Sequence, residues 1–272
     1  MGLPIRLAVL RGLIKELQTS TQDGRPLVVG GARELARVLE RELGRDAAAG
    51  GVRGGEPAGG AVYVHVLAGG DEDAAALKRA RRARVPIVAV DPGVVAGETT
   101  IPFVLATDVV PVASGEGFPL ERIAEVVAGR LGEDAAPLAA RVPVLRRAVV
   151  RKLVASFSAK NGIVGAAVFI PGADLPVLTL NEVRMLLRIE QAYGLAADPR
   201  QRAPEVLASL VAGIGLRAAA RELLDLVPVA GWAVKGAIAY AGTRALGEAA
   251  IRRLEPSSEA TRPPGAASPA AP

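Results

Sequence analysis

Two glycines close the apolar run Pro26-Leu-Val-Val-Gly-Gly31, and a helix-forming stretch with Arg37 follows them directly. Glycine between a buried strand and a helix suits phosphate, because the backbone can approach the anion and the first helical N–H groups point at it. A complete P-loop needs Gly-x-x-x-x-Gly-Lys-Ser/Thr. Its backbone N–H groups cradle the phosphates, its Lys neutralises them and its hydroxyl holds Mg²⁺. Aligned from Gly31, the second Gly is Ala36, the Lys is Arg37 and the hydroxyl is Val38. Gly30, Gly31 and Arg37 are therefore candidates for phosphate contact. The Mg²⁺ ligand is missing and the loop is too poor in glycine to wrap a phosphate, so hydrolysis is not expected.

The remaining nucleophile and ligand chemistry is sparse. The chain has no cysteine, which excludes thiol nucleophiles, disulfides and zinc–cysteine sites. Its one histidine, His65, lies in the apolar run Ala61-Val-Tyr-Val-His-Val-Leu67 and reads as a satisfied histidine in or beside a strand. One His cannot build a histidine metal cluster. No cofactor and no metal are expected.

The elements that would position these residues alternate. Strand candidates are 26–31, 61–67 and 85–90, with short extended pieces at Phe103-Val-Leu and Asp108-Val-Val-Pro-Val. Helical stretches run over 32–43, 71–84 and 118–131, and the Gly-rich segment 49–60 reads as a loop. Such alternation implies a parallel sheet with helices on its faces. The order of elements over 24–132 resembles a small P-loop GTPase domain. Val88-Ala-Val-Asp91-Pro sits where that family carries its guanine-reading Asn-Lys-x-Asp, and no Asp-x-x-Gly switch follows Ala61. With all three motifs missing, the resemblance implies a degenerate, non-hydrolysing GTPase-like domain.

The charge balance points outward. The formal charge is +5 and the pI about 9.9, which draws a protein to nucleic acid or to anionic lipid. Lys78-Arg-Ala-Arg-Arg-Ala-Arg84 packs five positive charges into seven residues. They sit at a predicted helix C-terminus, where the dipole favours them, and no aromatic side chains interleave for base stacking. No nucleic-acid partner is expected. Leu3, Leu7, Leu10, Ile14 and Leu17 mark an amphipathic helix over 1–20, with Arg6, Arg11 and Lys15 on its other faces. That helix either packs on its own domain or lies on a membrane surface. Charges interrupt its apolar run and no cleavage site follows, so export is not expected.

The second half reads as helical and apolar. Half of the whole chain is hydrophobic, yet aromatics are 3%, so close contacts must come from Ala, Val, Leu and Gly. No acidic residue occurs from Ala135 to Ala173, while Arg141, Arg146, Arg147, Arg151, Lys152 and Lys160 precede the first long apolar run. That run, Gly162 to Asn181, is broken by Asp174; Leu226 to Thr243 carries Lys235. A spanning helix needs about 20 apolar residues, and a central charge costs about 2.5–3.5 kcal/mol. Neither run is a convincing span. A soluble bundle and a membrane-associated hairpin both fit. Pro171-Gly172 breaks one helix. Asp174 or Thr179 starts the next, Thr179-x-x-Glu182 fitting a capping box, and the helix runs from Leu180 to Tyr193 with Gly194 as its C-cap. The tail 256–272, rich in Pro, Ser, Ala and Gly, is expected to be disordered.

The stretch Phe169-Ile-Pro-Gly-Ala-Asp-Leu-Pro-Val-Leu-Thr-Leu-Asn-Glu-Val-Arg-Met185, closed by Ala192-Tyr193-Gly194, resembles the domain of unknown function 697 family. The likeness rests on Pro171-Gly172-Ala-Asp174-Leu and Asn181-x-x-x-Met185 and covers roughly Ala148 to Glu255; Pro171, Gly172, Asp174, Thr179, Asn181 and Met185 make up a candidate helix-turn motif. Glu182 stands where that family carries Gln. The resemblance implies a helical domain over 136–255 of a bacterial type found fused to, or beside, GTPase domains and associated with membranes. The expected protein is a non-catalytic scaffold in the cytoplasm, at or in the inner membrane. Its partners would be an anionic membrane surface, a GTPase or a second copy. The alternative is a weak nucleotide-binding GTPase-like protein.

Overall fold

A computed structural model describes residues 12, 23–94, 100–167, 175–195 and 231–260. Five parallel strands form one sheet in the order β2-β1-β3-β4-β5. They are β1 (Leu27–Gly31), β2 (Val52–Gly54), β3 (Val62–Val66), β4 (Ile87–Asp91) and β5 (Val109–Pro111). The helices in chain order are α1 (Arg33–Gly44), α2 (Asp71–Arg82), α3 (Leu120–Leu131), α4 (Ala135–Arg141), α5 (Arg146–Ala167), α6 (Leu175–Ala192) and α7 (Gly231–Ala260).

The α/β expectation for the first half is met. All of Val62–Val66 is buried, as a parallel strand covered on both faces requires. Ala36, Leu39 and Leu43, spaced three and four apart, turn one stripe of α1 into the core. Asp71, Glu72 and Asp73 occupy the first turn of α2, and Arg79, Arg81 and Arg82 its last, which matches the helix dipole at both ends. The charged side chains of Lys78 to Arg84 are all exposed there.

Helices α1 and α3 cover one face of the sheet, and α2 covers the other through Val28, Tyr63, Leu77, Ala80 and Ile87. The α1/α3 core continues without a break into the second half. Leu145, Leu153 and Phe157 of the α4–α5 region, and Met185 and Ile189 of α6, belong to the same buried cluster as Val64 and Val88. Helices α5 and α7 approach closely through glycine. A Cβ built on Gly165 would lie 2.8 Å from Ala239 Cβ, and one on Gly236 would lie 2.9 Å from the Gly162 carbonyl oxygen. Small residues thus do the packing work that aromatics do elsewhere.

Several expectations need correction. The Gly-rich loop 49–60 contains β2, whose Val52 pairs with Leu27. Arg53 fixes the turn after it by donating to the carbonyls of Glu56 (2.9 Å) and Ala58 (2.6 Å). Phe103 is not extended but left-handed, with φ 66°. Thr179 starts no helix. Helix α6 already begins at Leu175, and Thr179 is 3% exposed inside it, so the capping box does not form. Asn181 and Met185 lie inside this helix, as the expected helical span Leu180 to Tyr193 has them. Gly194 does close α6: at φ 75° it donates to the Gln191 carbonyl, while Leu195 donates to that of Glu190. Those two bonds are a Schellman motif. Helix α7 continues to Ala260, past the expected boundary at Glu255.

The helix expected over 1–20 (Gly12 apart, which is helical), Pro171, Gly172, Asp174 and the tail beyond 260 lie outside the described residues. Among the described residues, no helix is long and apolar enough to cross a membrane.

Candidate ligand cleft

The sheet order places a crossover switch between β1 and β3. The chain leaves β1 for α1 on one face and leaves β3 for α2 on the other. In doubly wound sheets, ligands bind in the crevice that opens at the carboxyl ends of strands at such a point. A cleft of about 600 Å³ opens there, lined by Gly30, Gly31, one stripe of α1 (Arg33, Ala36, Arg37 and Glu40), Gly54 and Gly55, Tyr63, His65, Asp73 and Arg79. The volume suits a small ligand.

The turn from β1 to α1 is one residue long, because β1 ends at Gly31 and α1 begins at Arg33. Gly31 has φ 102°, and a Cβ there would run into the Val66 carbonyl oxygen. Its neighbour Ala32 donates to that same oxygen at 2.8 Å. Gly31 therefore lets α1 start flush against β3. No loop remains to wrap a phosphate as a P-loop does. What faces the cleft is the helix end itself. Ala32 gives no side-chain cap, and the helical ladder starts with Ala36 donating to Ala32, so the N–H groups of Arg33, Glu34 and Leu35 lie outside it. Arg33 and Arg37 of α1 and Arg79 of α2 line the cleft. Arg37 also pairs with Glu34 at 2.9 Å, and Arg79 with Glu56 at 3.0 Å.

Below the rim, Tyr63, His65 and Asp73 form a chain of hydrogen bonds. Tyr63 Oη lies 3.0 Å from His65 Nδ1, and His65 Nε2 lies 2.8 Å from Asp73 Oδ1. Both carboxylate oxygens of Asp73 accept from the Ala68 N–H, and Oδ2 also accepts from Gly69. An oxygen pair taking backbone N–H groups is an acceptor, so Nε2 carries the hydrogen toward it. Nδ1 is then the imidazole's lone pair, and the Tyr63 O–H donates to it. Gly30 makes room for this arrangement, since a Cβ there would collide with the Tyr63 hydroxyl.

The ionisation of the three groups follows from their surroundings. Burial pushes the Tyr63 phenol up to about 12. Burial also lowers the His65 imidazole below its ordinary value, outweighing the pull of Asp73 toward protonation, and Arg79 lowers it further. Burial opposes the Asp73 carboxylate, but the bonds from His65, Ala68 and Gly69 outweigh it and hold the group below the usual aspartate value.

Gly30, Gly31 and Arg37 thus line one cleft, whereas Thr179, Asn181 and Met185 lie apart from it in α6. Around them is a second buried polar group. Asn161 Nδ2 donates to Thr243 Oγ1 (2.9 Å) and to the Leu178 carbonyl (3.3 Å), and Asn181 Nδ2 donates to Asn161 Oδ1 (2.8 Å). Thr243 in turn donates to Glu182 Oε1 at 2.9 Å. This network ties α5, α6 and α7 together across their packing surface. Asp91, at the carboxyl end of β4, accepts from the Gly93 and Val94 N–H groups at 2.9 Å, within its own loop.

Tyr63 and Asp73 were not evident from sequence as site residues. The available signal was Tyr-x-His on one face of a buried strand, with an acid in the first turn of the next helix. Comparison with protein-family models, with curated proteins and with solved structures finds no match.

Proposed function

We propose that the chain is a non-catalytic binding protein on a degenerate GTPase-like frame, and that its cleft takes a small phosphate-bearing ligand. One observation carries this reading. The uncapped N-terminus of α1, Arg33 and Arg37 meet Gly30 and Gly31 in a single cleft at the β1/β3 switch. N–H groups at a helix start, the positive end of its dipole and flanking guanidiniums all favour a phosphate oxygen. Hydrolysis is left out of the proposal because Val38 offers Mg²⁺ no hydroxyl and the one-residue turn wraps no phosphate chain. Titration calorimetry of the full chain with guanosine monophosphate and diphosphate tests it. Micromolar to millimolar binding that is lost in Arg33→Ala/Arg37→Ala supports the reading, and no heat with any phosphate ligand removes it.

The helical half is proposed as the interaction part, in line with its resemblance to the 697 family and that family's GTPase and membrane associations. A specific observation favours an anionic membrane surface as the partner: Arg147, Arg151, Arg244 and Arg252 line one groove of about 920 Å³ between α5 and α7, where Glu248 and Glu255 offset two of the four charges and Arg244 pairs with Glu248 at 2.8 Å. Co-sedimentation with vesicles containing anionic lipid, released by salt, is the expected behaviour. Absence from the vesicle pellet at low salt would leave the protein–protein reading alone.

A further inference from the structure

A further polar atom of the cleft takes no part in holding the phosphate. That atom is the Tyr63 hydroxyl, which lines the cleft beside Gly30. Its own hydrogen is committed. Asp73 accepts N–H groups from Ala68 and Gly69, so the His65 Nε2–H points at Asp73, Nδ1 is a lone pair, and the Tyr63 O–H must donate to it at 3.0 Å. The phenolic oxygen then faces the cleft with lone pairs only. A ligand group at that point has to bring a hydrogen of its own. Another anion there would be repelled, and an apolar group would leave the oxygen without a donor.

From this, and resting on the proposal that the α1 end of the cleft takes phosphate, we infer that the site selects a phosphate monoester of a hydroxyl-bearing compound, with a ligand hydroxyl donating to Tyr63 Oη. The phosphate binds at the start of α1, at the Arg33 N–H with the Arg33 and Arg37 side chains, and the polyol part reaches toward β3. Tyr63 acts here as a specificity-determining residue. His65 and Asp73 are positioning residues that fix which way its hydrogen points. His65 is 1% exposed and Asp73 9%, so solvent does not compete for the bonds between them. Glu40, Glu56 and Glu72 also line the cleft as acceptors, with Arg79 paired to Glu56, and Glu40 and Glu72 add sites for ligand hydroxyl hydrogens away from the phosphate.

The test uses the full chain and two probes, ribose 5-phosphate and methyl phosphate, by titration calorimetry near pH 7.5. The expected result is that ribose 5-phosphate binds about fivefold or more tighter, the worth of one or two neutral hydrogen bonds. Tyr63→Phe should reduce that preference to within about twofold and leave methyl phosphate affinity nearly unchanged. Equal affinity for the two probes, or a preference that survives Tyr63→Phe, overturns the inference while phosphate binding itself stands. No binding of either probe takes down the phosphate reading and the inference with it. A second measurement needs no ligand and no variant. The chain has a single histidine, so its ring nitrogen spectrum carries one imidazole. The Nε2–H tautomer is required, and an Nδ1–H tautomer at neutral pH would overturn the assignment even if Tyr63→Phe fails to fold.

Discussion

His65 Nε2 sits 2.8 Å from Asp73 Oδ1, joining the carboxyl end of β3 to the first turn of the helix that follows it. The same carboxylate holds the Ala68 and Gly69 N–H groups, so one side chain organises the whole connection and fixes the tautomer of the buried imidazole. Replacing Asp73 by Ala removes all of these acceptors at once. The expected loss is about 3 kcal/mol, since buried donors left unsatisfied cost about 1–3 kcal/mol each and the loop relaxes to recover part of it. The urea midpoint of Asp73→Ala measures this; a midpoint within experimental error of wild type would mean the connection is held by something else.

Stability should depend on pH through the same pair. His65 has its native pKa below its ordinary value of 6.5 because it is buried. The groups that face it are Tyr63 and Asp73, with Arg79 on α2 and Glu56 after β2 nearby. Between the native and unfolded pKa values the unfolded chain binds more protons, so stability rises with pH there. The contribution is complete above 6.5 and is lost as pH falls from 6.5 through the depressed native value, with a limiting slope of about 1.4 kcal/mol per pH unit. Asp73, whose native pKa is lowered below 3.8, adds stability that is lost only as pH falls below that value. Urea unfolding at pH 8, 7, 6 and 5 should show no His65-linked change in the first interval and a decline in the last. A decline of the same size in His65→Asn would assign it to another group.

Two glycine-to-alanine changes should have opposite signs. Gly31→Ala places a side chain at φ 102° and into the Val66 carbonyl, which should cost about 3 kcal/mol and open the β1–α1 turn. Gly129 lies exposed in α3 with nothing within 4 Å of a built Cβ. Gly129→Ala should stabilise by about 0.5–1 kcal/mol, because alanine loses less backbone freedom in a helix. Thermal unfolding of both variants checks the pair, and a loss in Gly129→Ala would contradict the packing described.

Asn161 is the hub of the buried network between α5, α6 and α7. Asn161→Leu strands the Asn181 amide and takes the donor from Thr243 Oγ1, and should cost about 2–3 kcal/mol. The double change Asn161→Leu/Thr243→Val should cost less than the sum of its single changes, because each removes the partner the other leaves behind. Additive losses in the urea midpoints would show that the two side chains do not share a network.

Most of the α/β half is legible in sequence because its strands are buried on both faces and so read as unbroken apolar runs. Strands Leu27–Gly31, Val62–Val66 and Ile87–Asp91 differ from the expected bounds by a residue or two. Strand β2 is not legible. It is three residues long, half-buried at the sheet edge and flanked by glycines, so it carries no periodic signal. Thr179 misled for a physical reason: a capping-box spacing in sequence looks the same whether its hydroxyl meets a free helix end or a helix interior. Gly194 was legible because a glycine just past an apolar helix has few other uses. Gly30, Gly31 and Arg37 could be named from their spacing, but Tyr63, Asp73 and Asn161 could not. Their roles come from neighbours on other elements, which no local pattern encodes.

The central claim is that the β1/β3 switch binds phosphate through the start of α1. Amide NMR of the labelled full chain during titration with inorganic phosphate tests it most directly. The account predicts saturable shifts at Gly31, Ala32, Arg33, Glu34 and Leu35, with none along the α5–α7 groove. Shifts confined to the residues near Arg147, Arg151, Arg244 and Arg252, or no saturable shift at millimolar phosphate, would contradict it.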